Sequence, residues 1–106
     1  MDRDETEMNE TEERITLTVK AFATLREVMD SELTLTFPKG ATVRMLLAEL
    51  TGRFDGLDEL LFTAPDTLRN LVNIIKNGRN IEFLAGLETP LEDGDVIALF
   101  PPVAGG

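Results

Sequence analysis

Every second residue from position 15 to position 21 is apolar: Ile15, Leu17, Val19 and Ala21 alternate with Thr16, Thr18 and Lys20. A period of two sends successive side chains to opposite faces, so this stretch predicts a half-buried strand reaching Phe22. The pattern returns at Leu33, Leu35 and Phe37, between Glu32, Thr34 and Thr36, and Pro38 ends it. Met29-Asp30-Ser31 supplies a turn, so the two strands are expected to pair as an antiparallel hairpin. A sheet with one apolar face needs a cover. Val43, Leu46, Leu47, Leu50 and Phe54 provide it, falling at i, i+3, i+4, i+7 and i+11 along one helical stripe. Pro38-Lys39-Gly40 breaks the preceding strand and Thr42 caps the helix, which decays at Gly52 and Gly56.

The second half of the chain is less periodic. Leu57, Leu60, Leu61 and Phe62 suit a turn of helix before Pro65. Residues 71–76 form a β-branched apolar run, and Asn77-Gly78 is a strong hairpin signal. A short strand over residues 81–84 is expected to return from that turn. Asp93-Gly94 marks another turn, and residues 95–100 form the last strand, with a central place expected for it. Strand, strand, helix, strand, short strand, strand is the order of an α+β fold, the β-grasp or ubiquitin-like roll. In that roll one main helix packs across a mixed sheet.

Composition removes whole classes of function. The 106 residues, enough for a single small core, include neither Cys nor His. That excludes disulfides, thiolate chemistry, Ser/His and Cys/His nucleophilic pairs and ordinary zinc sites. Metal ligation by Asp93-Gly94-Asp95 is not expected, because the spacing is that of a turn and not of a calcium loop. A net charge of -10 opposes nucleic acid and anionic membrane. No apolar run is long enough to span a bilayer and no signal-peptide pattern is present, so the expected location is cytoplasmic. The acidity is concentrated: residues 1–13 carry seven acids against Arg3. They show no hydrophobic period and are expected to be a disordered, dispensable extension, with a partner-binding arm as the other reading. The β-grasp domain is then expected over residues 14–100.

The chain finishes Phe100-Pro101-Pro102-Val103-Ala104-Gly105-Gly106. Residues 101–106 read as a flexible tail carrying a reactive α-carboxylate. Gly105 and Gly106 lack a Cβ and Ala104 adds only a methyl, so the tail can thread a narrow channel. Pro101 and Pro102 favour polyproline II and are expected to hold it away from the body.

Three segments resemble the MoaD/ThiS family of ubiquitin-like sulfur carriers, including its archaeal MoaD-type members and the small archaeal modifier proteins. They are Val19-Lys20-Ala21-Phe22-Ala23-Thr24-Leu25-Arg26-Glu27; then Gly40-Ala41-Thr42-Val43 with Leu46-Leu47 and Leu50; and Leu91-Glu92-Asp93-Gly94-Asp95 running through the last strand into the diglycine. The likeness covers residues 15–106. The acidic extension stands outside it, and Ala104 replaces the Ser or Thr of many members.

The resemblance implies a carrier and not an enzyme, with no cofactor of its own. A MoeB or ubiquitin-activating-type enzyme would use ATP to adenylate Gly106, and a sulfur donor would convert it to a thiocarboxylate. The sulfur would go to a molybdopterin precursor, the chain serving as the small subunit of molybdopterin synthase beside its large subunit. The alternative is a protein modifier joined to target-protein lysines through Gly106; a non-covalent β-grasp interaction module is a further one. Phe22, Phe100 and Arg26 match family positions that dock the partner, while Val103 and its neighbours would thread the channel. Simple core membership for the two rings and a solvated charge for Arg26 are the plainer readings.

Overall fold

The computed structural model describes residues 13–102. β1 (Arg14–Ala21) pairs antiparallel with β2 (Glu32–Pro38), with Thr16 opposite Thr36 and Val19 opposite Leu33. The inward set of β1 is as the alternation requires: Ile15, Leu17, Val19 and Ala21 are buried. The connection is not the tight turn expected at Met29. A 3-10 helix over Ala23–Glu27 intervenes, and Leu25 and Met29 drop from this segment into the core. Filling the open end of the sheet is the physical reason for the longer path.

α1 (Val43–Arg53) lies across the inner face. Thr42 caps it, its hydroxyl accepting the Met45 N–H at 3.4 Å, and Val43, Leu46, Leu47 and Leu50 are buried. α2 (Leu57–Leu61) follows as expected, but Phe62 leaves it. Two further strands, β3 (Phe62–Ala64) and β4 (Thr67–Leu68), make a small hairpin that the periodicity does not announce. Its turn holds Asp66 at a φ of 65° and is tied to α1 by Arg44, which bonds both Asp66 and Glu88.

β5 (Asn73–Lys76) is shorter than the apolar run that predicts it, because Leu71 sits in the left-handed region at φ 73° and is 61% exposed. Asn77 and Gly78, at φ 50° and 88°, make the expected two-residue turn into β6 (Arg79–Asn80). The return strand over residues 81–84 is absent. The Asn80 side chain instead accepts the Glu82 N–H at 2.8 Å and turns the chain into a 3-10 helix, Ile81–Phe83. That twist buries Ile81 and leaves Phe83 83% exposed.

β7 (Val96–Phe100) closes the sheet, whose order is β2-β1-β7-β5-β6. It is the central strand, parallel to β1 and antiparallel to β5. This is the mixed β-grasp sheet with one main helix, and Ile97 and Leu99 are fully buried in its core. Asp93-Gly94-Asp95 does turn work: Asp93 Oδ1 accepts the Thr16 N–H at 2.8 Å. Buried Asp95 accepts from Asn77 Nδ2 and from the Glu92 N–H, both at 2.7 Å.

The expected disordered extension falls almost wholly outside the described residues. Glu13 is the exception, bonded through its carbonyl to the Lys39 N–H at 2.9 Å and through its carboxylate to the Lys39 amine at 2.9 Å. No helix among the described residues is long and apolar enough to cross a membrane.

Candidate functional site at the tail-bearing end of the sheet

Parallel pairing decides where the chain's exit lies. β1 and β7 run in the same direction with Ala21 opposite Leu99, so both strands finish at one end of the sheet. Phe22 continues the extended backbone for one more residue, at φ -127° and ψ 157°, and its N–H donates to the Leu99 carbonyl at 3.1 Å. Since Ala21 and Leu99 point into the core, the next residue on each strand must point outward. Phe22 and Phe100 therefore meet on the solvent face. Their rings are stacked, with centroids 4.5 Å apart and planes within 8°.

The third member arrives by a fold-back. Ala23 takes a φ of 55°, a left-handed conformation rare for a residue with a Cβ, and this starts the 3-10 helix. One turn later Arg26 comes back over the strand end. Its Nε donates to the Ala21 carbonyl at 2.8 Å, and its guanidinium carbon lies 5.2 Å from the Phe22 ring centroid. The three candidate docking residues, two from the end of β1 and one from the far end of the chain, thus form one cluster. Neither ring is core: Phe22 is half-buried and Phe100 is 36% exposed.

The outward side of β7 adds area that the sequence reading overlooked. Val96 and Ala98 share the face of Phe100, and Ile75 lies opposite Ala98 on β5. Val96 is exposed, Ala98 and Ile75 half-buried. The signal was present: β7 is apolar on both parities, which a strand with one wet face does not require.

Pro101 is buried and Pro102 half-buried, so the stem starts against the body and not clear of it. Val103, Ala104, Gly105 and Gly106 lie outside the described residues. Among the described residues no three acidic groups are placed to hold a metal. Two of the three lysines are paired with carboxylates: Lys39 with Glu13, and Lys76, its side chain only 14% exposed, near Asp95 at 3.6 Å. What this end of the molecule offers chemically is a partly exposed apolar face beside the root of the tail.

The model of the ThiS family matches residues 19–106. Small archaeal modifier protein 3 of Haloferax volcanii is 40% identical over 91 residues, which is 85% of this chain and 98% of that protein. The sulfur carrier protein CysO of Mycobacterium tuberculosis is 35% identical over 69 residues, 63% of this chain and 74% of its own length. The solution structure of small archaeal modifier protein 1 from Methanosarcina acetivorans superposes with a TM-score of 0.75 at 39% identity, covering 89% of this chain and 99% of that one.

Proposed function

Starting from a chain that belongs to the ThiS family of ubiquitin-like carriers, we propose that it carries sulfur as a thiocarboxylate on Gly106. The observation that supports this best is the juxtaposition at the sheet's end. The strand that leads into Pro101-Pro102-Val103-Ala104-Gly105-Gly106 is the same strand that bears the apolar docking face. A partner bound there is within reach of the tail: six residues beyond Phe100 extend to at most ~20 Å.

The chemistry needs an activating enzyme because a carboxylate anion is a poor electrophile. A Gly106 oxygen attacks the α-phosphate of ATP and pyrophosphate leaves. The resulting acyl adenylate is attacked at its carbonyl by a sulfur nucleophile, and AMP departs with the bonding pair. Gly105 and Ala104 serve by being small inside the channel, Val103, Pro102 and Pro101 by spanning it. Phe100 and Phe22 supply the contact area outside, with Arg26 at its edge. The acceptor we assign is a molybdopterin precursor, the chain acting as a MoaD-like small subunit of the synthase.

A second reading has its own support. The likeness to small archaeal modifier protein 3 extends over 98% of that protein, which favours a modifier joined through Gly106 to target lysines. Intact-mass spectrometry of the protein from its native host separates the two. An oxygen-to-sulfur increment is expected for the carrier; covalent ladders that survive denaturation would establish the modifier instead. Deleting Gly106 shortens the arm by about 3.3–3.6 Å, against a tolerance of about 1 Å for in-line attack. ATP–pyrophosphate exchange should therefore vanish in that variant while the melt stays unchanged. Wild-type exchange by the deletion would end both covalent readings and leave a non-covalent module.

A further inference from the structure

We infer that this chain pairs with a second copy of itself through a groove beside β5, each copy seating its Phe83 in the groove of the other. The groove lies between the β4–β5 connection and the two 3-10 helices that follow β6, Ile81–Phe83 and Gly86–Glu88.

Leu68, Leu71, Val72, Ile74, Ile81 and Leu87 line it, and it encloses about 400 Å3. A cavity of about 150 Å3 already admits a benzene ring. The polar groups at the groove are engaged within the chain. Asn80 donates to Asn73 Oδ1 at 2.9 Å and accepts the Glu82 N–H at 2.8 Å, while Arg69 Nε donates to the Glu59 carbonyl at 2.7 Å. The vacant partner this groove suits is therefore an apolar knob and not a polar small molecule.

Such a knob stands next to it. Phe83 is 83% exposed, the highest value of any large apolar side chain among the described residues, and it directly follows Ile81 and Glu82 of the groove wall. Leu71 is an independent sign. It is held at a φ of 73°, unfavourable for a bulky side chain, and yet remains 61% exposed on the groove. Backbone strain that presents an apolar side chain to water marks a contact surface.

The knob and the hole adjoin, so a single two-fold axis satisfies both contacts and closes the pair; a knob far from its hole would propagate into a filament. Charge agrees with that symmetry. Arg69 and Glu82, of opposite sign, both line the groove, and a two-fold axis sets each against the other. The net charge of -10 is mostly remote from this edge in sequence, since seven acids against Arg3 place -6 of it in residues 1–13. Ile74 points into the core, so the groove opens on the α1 side of the sheet, opposite the face that bears Phe22 and Phe100.

Sedimentation velocity on the full chain, from about 10 µM to about 1 mM at about 0.15 M salt, tests the pairing under screened conditions. A monomer–dimer equilibrium with a midpoint of roughly 100 µM is expected, as small interfaces are weak. Phe83→Ser should raise the dissociation constant at least about thirtyfold, because the lost anchor occurs twice in the pair. Leu71→Gly removes the side chain at a φ that glycine accepts, and should weaken the dimer without lowering the melt. A second readout is made on the wild-type chain, mixed in equal parts 13C-labelled and unlabelled. Filtered NOEs between copies should join the Phe83 ring to the methyls of Ile81 and Leu87. A wild type that stays monomeric to about 1 mM, growth beyond two copies, or a dimer that Phe83→Ser leaves intact would each overturn the inference. Should Phe83→Ser melt lower than wild type, the NOEs decide, and contacts between copies at any other surface overturn it equally.

Discussion

Residues 14–53 with 96–100, and residues 57–90, are built on different rules. In the first region long ladders run from Arg14 to Lys20 and from Val96 to Phe100, and side chains obey a period of two or 3.6. In the second region, β3, β4, β5 and β6 are two to four residues each. Only Leu57, Leu61, Ile74 and Ile81 of that stretch join the buried apolar core, whereas Leu71, Phe83 and Leu84 are exposed. Among the described residues, three of the four non-glycine residues at positive φ, Asp66, Leu71 and Asn77, lie there as well. The first region is shaped by burying a face; the second is shaped by individual hydrogen bonds that set each turn. Arg69 illustrates the second rule, its Nε donating to the Glu59 carbonyl at 2.7 Å and its N–H to the Leu61 carbonyl at 2.8 Å.

The contrast breaks if core substitutions in the two regions cost the same. Leu47→Ala empties a fully enclosed site between α1 and the sheet and should destabilise by about 3–5 kcal/mol in chemical denaturation. Ile81→Ala removes a residue nearly as buried, but one set in a 3-10 turn whose exposed neighbours can settle inward. It should cost about 2 kcal/mol, the lower end for such a change, because the cost follows the cavity that remains. A loss at Ile81 equal to that at Leu47 would show that residues 57–90 are packed as tightly as the sheet.

How much of this was readable beforehand follows the same divide. Ile15, Leu17, Val19 and Ala21 declare their face by alternation, as Val43, Leu46, Leu47 and Leu50 declare their stripe, so β1, β2, α1 and the central β7 were all legible. The return strand after Gly78 was not. Whether residues 81–84 run straight or coil depends on one side-chain bond from Asn80, and an apolar run reads the same in either case. The site divides likewise. Parity places Phe22 and Phe100 outward once the strands are known. Arg26 reaches them only because Ala23 adopts φ 55°, and no pattern in the sequence announces that conformation. The outward apolar residues Val96 and Ala98 could have been found by asking why β7 is apolar on both faces.

The ion cluster around Arg44 sharpens the comparison at smaller amplitude. It joins α1 to the β3–β4 turn through Asp66 and to the segment before β7 through Glu88, all at the surface. Exposed pairs of this kind hold geometry more than they add stability. Arg44→Ala should leave the melting temperature nearly unchanged but speed amide exchange across residues 62–68. Exchange confined to its wild-type rate there would mean that the hairpin is held by Phe62 and Leu68 packing alone.

The smallest effect belongs to the open end of the regular region, where Glu13 meets Lys39. The hydrogen bond from the Lys39 amine, and then the amine's charge, hold the Glu13 carboxyl below its ordinary value of 4.5, while the same hydrogen bond and then the Glu13 charge push the amine above its ordinary 10.5. A carboxyl depressed in the folded state adds stability above its unfolded value, and that contribution is lost as pH falls through the folded value. The raised amine contributes below its unfolded value and loses that contribution as pH rises through the folded one. The pair is therefore fully effective between the carboxylate and amine ranges and fades at both extremes. Since both partners are exposed, the melt should hardly register it; the carboxyl carbon of Glu13 followed by NMR should. Wild type is expected to titrate below 4.5, and Lys39→Ala to return the midpoint to the ordinary range. A Glu13 that titrates at 4.5 in both would show that the backbone bond from the Lys39 N–H, and not the ion pair, is what fastens residue 13 to the sheet.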